Sequence, residues 1–417
     1  MDPVELLRDF LARDIEDALA PPGQRRSDGW ERKLTTIATY RTLTSEQAHA
    51  AARVMLDAYV ECERKERRSV RGVSLAAIAI EPLEWLAIFQ PVAMRELYPA
   101  VIEHGIFWYA PIYCAGDAAT RTALLDRLAF VEVEPDVIEA TTEMSSLLEC
   151  LAWIGDDAVV LKFAEWRGYT LLWHPTPELV ERNPSLAGVS STIPLISTTR
   201  EAGWELTLEG QRRDLYSQHW HGLLPAGGGS GSPAPVAVGV PMGMECAWCG
   251  RELAAIIDLD LHAPQLAFLQ IEGERLRIPA CRWCSYGGGN GPLFWRVNTT
   301  GEAQWCEANG PRPELGARYD DPTCSYEPAW VAMAYSLGPV RTDPYTSLVP
   351  DDDFISNRLG GLPEWVQYPE YPVCPECGKS MRFIGQIDAD EHGGWEGLIY
   401  ACICDTCRLA ATVHQQT

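Results

Sequence analysis

The sequence predicts an α+β protein, with helices through residues 1–190 and a duplicated, β-rich domain over 191–417. Three observations predict it. Apolar residues keep helical spacing to about residue 183, the pattern changes to alternation with dense Gly and Pro from about Thr192, and one cysteine pattern occurs twice beyond that change.

The helical region begins with an acidic amphipathic segment, MDPVELLRDFLARDIEDALA, which lacks the basic and apolar regions of a signal peptide. Thr44-Ser-Glu-Gln47 is a capping box, in which the Thr and Gln side chains each serve the other's backbone N–H. Behind it Ala48, Ala51, Ala52, Met55, Ala58, Tyr59 and Cys62 form one apolar face, and Arg64, Lys65, Arg67 and Arg68 suit the negative end of the helix dipole. Further helices are expected over 117–130, 142–154 and 156–167. Gly155 closes one and Asp156 caps the next, giving a tight antiparallel pair. That pair, with Leu147, Leu148, Leu151 and Trp153 facing Val160, Phe163 and Ala164, resembles a HEAT-type repeat. The resemblance implies a curved, HEAT-like array over 1–190 whose exposed face binds macromolecules.

From Thr192 the reading is strands and turns. Gly203-Trp-Glu-Leu-Thr-Leu208 alternates, Ala226–Pro235 is a low-complexity connection, and strands are expected at Leu266–Ile271, Leu293–Val297, Arg382–Ile387 and Leu398–Cys404. Gly287–Gly291 lacks the Lys and Ser/Thr that a phosphate loop needs.

The duplicated pattern is Cys246-Ala-Trp-Cys249-Gly-Arg, returning as Cys374-Pro-Glu-Cys377-Gly-Lys. Each is followed by two strand-like runs and a second C-x-x-C, Cys281/Cys284 and Cys404/Cys407. Two such knuckles joined by a hairpin match what a tetrahedral zinc ion asks for, so two structural Zn sites are expected. Four thiolates close the shell and leave no position for a catalytic water. Residues 246–260 align without a gap on 374–388, which places Cys402 opposite Pro279 and outside the quartet; two residues from Cys404, it could also replace it. The duplication suggests halves of about 191–345 and 346–417.

With 58 acidic and 34 basic residues the net charge is -24. Nucleic acid and anionic membranes would be repelled, whereas a basic protein partner would be attracted. Fourteen cysteines with no export signal point to a reducing compartment, the cytoplasm.

Leu359-Gly-Gly-Leu-Pro-Glu-Trp365, Met381-Arg-Phe-Ile-Gly-Gln-Ile-Asp388, Gly397-Leu-Ile-Tyr400 and Val413-His-Gln-Gln416 resemble the YwqG-like family over roughly 190–417. The resemblance implies a β-rich fold of two similar halves, and a place among the immunity partners of bacterial polymorphic toxins. Many family members lack the paired knuckles. The expected function is that of a cytoplasmic immunity protein, not an enzyme, that neutralises a basic toxin or effector domain by binding it. The alternatives are a protein-interaction scaffold with structural zinc, a zinc-dependent hydrolase using His219 and His221, which alternate on one strand, and a zinc-ribbon nucleic-acid binder, which the charge opposes. Asp351–Asp353 reads as a loop or helix cap, Asp258/Asp260 and Asp388/Asp390 as turn hydrogen-bonders, and Cys306 and Cys324 as core thiols.

Overall fold

A computed structural model describes residues 2–20, 29–65, 74–175, 180–181, 184, 188–226, 234–285, 291–312, 330–348, 357–393 and 396–416. Arg67, Arg68, Cys324, Asp351–Asp353, most of the low-complexity strip and most of the glycine loop lie outside the described residues. The chain forms two compact units, the first running over Met1–Arg213 and the second beginning at Asp214. The boundary therefore lies beyond the expected 190/191.

The first unit contains α1 (Pro3–Leu19), α2 (Gly29–Thr42), α3 (Ser45–Arg64), α4 (Leu75–Phe89), α5 (Pro91–Glu103), α6 (Ala118–Arg127), α7 (Thr142–Ile154) and α8 (Asp157–Glu165). Asp2 caps α1, and the Thr44/Gln47 box opens α3 with both reciprocal hydrogen bonds, at 3.3 and 3.0 Å. The predicted apolar face of α3 is buried from Ala48 to Cys62, with Ala58 only half-buried.

The unit is not all-helical. A four-stranded sheet runs β1 (Val131–Glu134), β2 (Val137–Ala140), β3 (Thr170–Trp173), β4 (Ser191–Pro194). Its first two strands are short and alternate with period 2, a signal hidden between two strong helices. Asp136, at φ 67°, makes the turn between them. β2 and β3 are parallel, which demands a crossover, and α7 and α8 supply it. Gly155 ends α7 in the left-handed region and Asp156 accepts from Val159 N, as expected. The buried Trp204 of β5 (Trp204–Leu206) donates its indole N–H to Ala152 O at 2.9 Å and meets Phe163 edge-on. β5 pairs with β6 (Arg212–Asp214).

The second unit is built on one twelve-stranded sheet. Its strands are β7 (Ser217–Pro225), β8 (Val236–Val238), β9 (Val240–Glu245), β10 (Glu252–Asp260), β11 (Arg275–Ala280), β12 (Leu293–Val297), β13 (Ala303–Trp305), β14 (Met333–Leu337), β15 (Arg358–Gly361), β16 (Arg382–Asp388), β17 (Leu398–Cys404) and β18 (Leu409–Gln415), with a short α9 (Ala389–Gly393). Their order is β11-β10-β8-β14-β7-β15-β16-β17-β18-β12-β13, and β9 adds to β10. Leu266–Ile271 is not a strand but a 3₁₀ turn, Pro264–Leu269. Proline opens it, and Leu266 and Leu269 bury together at the three-residue repeat of that helix.

The first eight strands of that order form a palindrome about the β14–β7 pair. β10 pairs with β11 as β16 pairs with β17, and β8 borders β10 as β15 borders β16. Even the irregularities repeat: the β10–β11 ladder shifts between Ala255 and Ile257, and the β16–β17 ladder between Phe383 and Gly385, the aligned positions. Gly239 and Gly360 match as well. Both have positive φ, and a Cβ there would strike Val331 O in one copy and His219 O in the other.

The duplication is thus real, but its copies are not the separate halves 191–345 and 346–417. β7 pairs with β15, and β12 with β13 extends the sheet beyond β18. The sheet also curls, because Glu274 N and Arg275 N both donate to Thr299 O, at 2.8 and 3.2 Å. Ile256, Ile257, Ile278, Leu359, Ile384 and Ile399 consequently share one core.

Candidate metal centres

Each knuckle is a tight turn closed by backbone. Cys246 N donates to Arg251 O and Gly250 N to Cys246 O, both at 2.8 Å; Cys374 N donates to Lys379 O at 2.8 Å and Gly378 N to Cys374 O at 2.9 Å. Gly250 and Gly378 sit at φ 72° and 71°, the left-handed region that a glycine enters without strain. The second C-x-x-C of each copy lies just beyond β11 or at the end of β17. There Ser285 N donates to Cys281 O, and Arg408 N to Cys404 O. Cys284 N and Cys407 N point at the sulfurs of Cys281 and Cys404, each at 3.4 Å.

The hairpins β10–β11 and β16–β17 bring these turns together. Cys246, Cys249, Cys281 and Cys284 form one quartet, and Cys374, Cys377, Cys404 and Cys407 the other, with all sulfurs of a quartet within 4.8 Å of one another. Sulfurs bound tetrahedrally at about 2.3 Å from one ion stand about 3.8 Å apart. The separations are 3.8 Å for Cys246–Cys284, 3.4 Å for Cys249–Cys281 and 3.6 Å for Cys377–Cys404. None of the eight cysteines is tied up in a disulfide. Each quartet is geometrically suited to hold one metal ion. Cys402 is no part of either: it is fully buried in β17, where burial pushes its thiol well up, and Cys404 supplies the ligand atom.

Crowding the sulfurs splits their acidities. Hydrogen bonds from Cys246, then Cys281 and Cys284, draw the Cys249 thiol far below its usual value, while Cys246 and Cys249 push Cys284 far above. A cation that holds all four as thiolates would displace the remaining protons.

The two centres differ in their surroundings. In the first, Cys246, Cys281 and Cys284 are buried and only Cys249 is half-buried; in the second, Cys377 and Cys407 both are half-buried. The Arg251 guanidinium lies over the Trp283 ring at 4.3 Å. Beside the second centre Arg382 holds Asp405 at 2.7 Å, and Arg296 pairs with Glu376.

The remaining candidates are dispersed. His219 is exposed, whereas His221 is buried, with its Nδ1 2.8 Å from Gly338 O and its ring against Phe268. The β7–β15 ladder shifts between Gly360 and Gly361, which disturbs the alternation that would align the two histidines. Among the described residues neither joins a metal-binding group. Asp260 accepts from His262 N and Asp388 from Asp390 N, as turn hydrogen-bonders do. Asp258 departs from that reading: it is buried and held by Arg275 at 2.6 Å and Arg277 at 3.1 Å. Its partners lie across the ladder on β11, so only the register reveals them. Cys306 is buried.

No helix among the described residues is long and apolar enough to cross a membrane. No family model matches the chain, and no solved structure matches it. The chain is similar to the uncharacterized protein YpfL of Salmonella typhimurium (strain LT2), with 28% identity over 307 residues that cover 70% of this chain and 65% of the relative. It therefore spans about 65% of that relative's length.

Proposed function

We propose that this chain is a cytoplasmic immunity protein that neutralises a basic toxin or effector domain by direct binding. In this reading the first unit is a HEAT-like binding array and the second a YwqG-like sheet stapled by two zinc ions. Zinc is the fitting ion because four thiolates at tetrahedral spacing suit its softness and its indifference to geometry. The Cys246/Cys249/Cys281/Cys284 and Cys374/Cys377/Cys404/Cys407 quartets would hold it with no open position, so the metal's contribution is shape and not turnover.

The observation that carries the reading is the acidic excess of 58 carboxylates over 34 basic side chains. Such a field accelerates encounter with a cationic partner and repels the nucleic acid that a nuclease toxin would otherwise reach. Co-expression with the toxin it neutralises is expected to restore growth, and the purified pair to associate at low salt and loosen as salt rises. Failure to associate at low salt overturns the reading.

A further inference from the structure

In the first unit, Trp108 stands between α5 and a 3₁₀ turn (Ala110–Ala115) with 47% of its surface exposed. Exposed tryptophans are ordinarily loose, but this one is fixed. Its indole N–H donates to Tyr59 Oη at 2.8 Å, and its ring stacks on Tyr59 at 6.5 Å with 26° between planes. Tyr109 closes a second side, edge-on to Trp108 at 5.8 Å. The Tyr109 hydroxyl donates to Glu84 Oε2 at 2.7 Å, so a buried carboxylate feeds electron density into that ring. Burial, then the Glu84 charge, push the Tyr109 phenol well up; Tyr59 is raised by burial and by Glu63.

The exposed Trp108 ring, backed by the buried Tyr59 and flanked by the half-buried Tyr109 with its carboxylate, makes the electrostatic surface that a cation prefers. Elsewhere the chain satisfies such faces internally: Lys33 lies over Trp85, Arg251 over Trp283 and Arg341 over Trp220. Among the described residues no cation covers Trp108. The nearby Arg127 is committed to the Phe107 ring at 4.9 Å and to Glu143 at 2.6 Å.

We infer that the Trp108–Tyr59–Tyr109 cluster is a docking site for an arginine side chain of a basic protein partner. The guanidinium plane stacks on the indole face while the acidic surroundings supply charge. Fixed aromatic anchors of this kind dominate binding energy at protein interfaces because little side-chain freedom is lost on contact. The inference deepens the proposed function, since the partner's basic character comes from that reading.

The test titrates the full chain with a tetra-arginine peptide at about 0.15 M salt, where general charge attraction is screened beyond about 8 Å. Calorimetry gives the affinity and the Trp108 indole N–H resonance reports the site. Trp108→Leu is expected to weaken binding about fivefold to thirtyfold. Tyr109→Phe, which removes the link to Glu84, is expected to weaken it less. Trp108 is half exposed, so the Leu variant loses the Tyr59 hydrogen bond yet keeps its fold, checked by an unchanged far-ultraviolet circular dichroism spectrum and a cooperative melt. Equal affinity in wild type and Trp108→Leu overturns the site, as does tetra-lysine binding as tightly as tetra-arginine. The growth-rescue experiment reads the toxin assignment alone, so either result can fail without the other.

Discussion

The two knuckled hairpins of the second unit descend from one pattern and now differ in almost everything except what a metal requires. Both keep the C-x-x-C-G turn, the left-handed glycine, the slipped ladder and the four converging sulfurs. Around them the copies have parted. The first buries three of its four thiols and an aspartate held by two arginines, while the second leaves two thiols half-buried and places the uncharged Gln386 opposite that aspartate. The conserved part is backbone geometry; the variable part is the material packed against it.

The largest expected effect is at the sulfurs. Cys281→Ser and Cys377→Ser should each reduce bound zinc from two ions to one, measured by elemental analysis. The buried Cys281 site should lose more stability, with a fall in Tm of about 10 °C or more, because structural zinc contributes on the order of 10 kcal/mol in small domains. Chelator should strip the second centre first, so that alkylation followed by mass spectrometry marks Cys377 and Cys407 before Cys249. Simultaneous release would erase the distinction between the centres.

Next come the aligned Asp258 and Gln386. Asp258→Ala leaves Arg275 and Arg277 without their carboxylate and should cost about 2 kcal/mol in denaturant titration, less than a fully buried pair because both arginines reach water. Gln386→Ala removes the acceptor of Glu364 N and should cost about 1 kcal/mol.

A pH scan separates the copies in another way. The ring of His392 is buried, with Nε2 2.8 Å from Tyr335 Oη and Nδ1 3.1 Å from Val331 O, and burial lowers its pKa despite Asp388 and Glu391 nearby. The unfolded chain therefore takes up the proton first. Stability should decline as pH falls below about 6.5 and level off once the folded pKa is passed. His392→Gln should flatten that slope; a slope unchanged in the variant assigns it elsewhere. The residue aligned with His392 in the first copy is Pro264, so that copy has no counterpart of this imidazole.

The smallest effect should be the most nearly equal. Gly250→Ala and Gly378→Ala place a Cβ in open space at left-handed φ, so each should cost about 1 kcal/mol from backbone strain alone. Unequal costs would show that the turns are not equivalent after all.

Much of this centre was legible in the sequence. Spacing alone paired Cys246/Cys249 with Cys281/Cys284, and the gapless alignment set Cys402 aside. The helix caps at Thr44 and Asp156 were legible because a cap is a local hydrogen bond. What stayed hidden depends on distant pairing. The register that gives Asp258 its arginines, the slip that separates His219 from His221, and the crossover role of α7 and α8 are settled by strands far away in sequence. The β1–β2 hairpin was missed for a different reason: four-residue strands carry too short an alternation to stand out beside long helices.

The β14–β7 pair at the centre of the palindrome joins segments more than a hundred residues apart, and β12 must wait for β18, more than a hundred residues further along the chain. A nascent chain emerging from the ribosome can close each hairpin early, yet it cannot assemble the whole sheet until β18 has emerged. Such late closure makes folding slow and leaves half-built edges exposed to chaperones, while hairpin closure and metal capture by the hairpins are free to happen on the way.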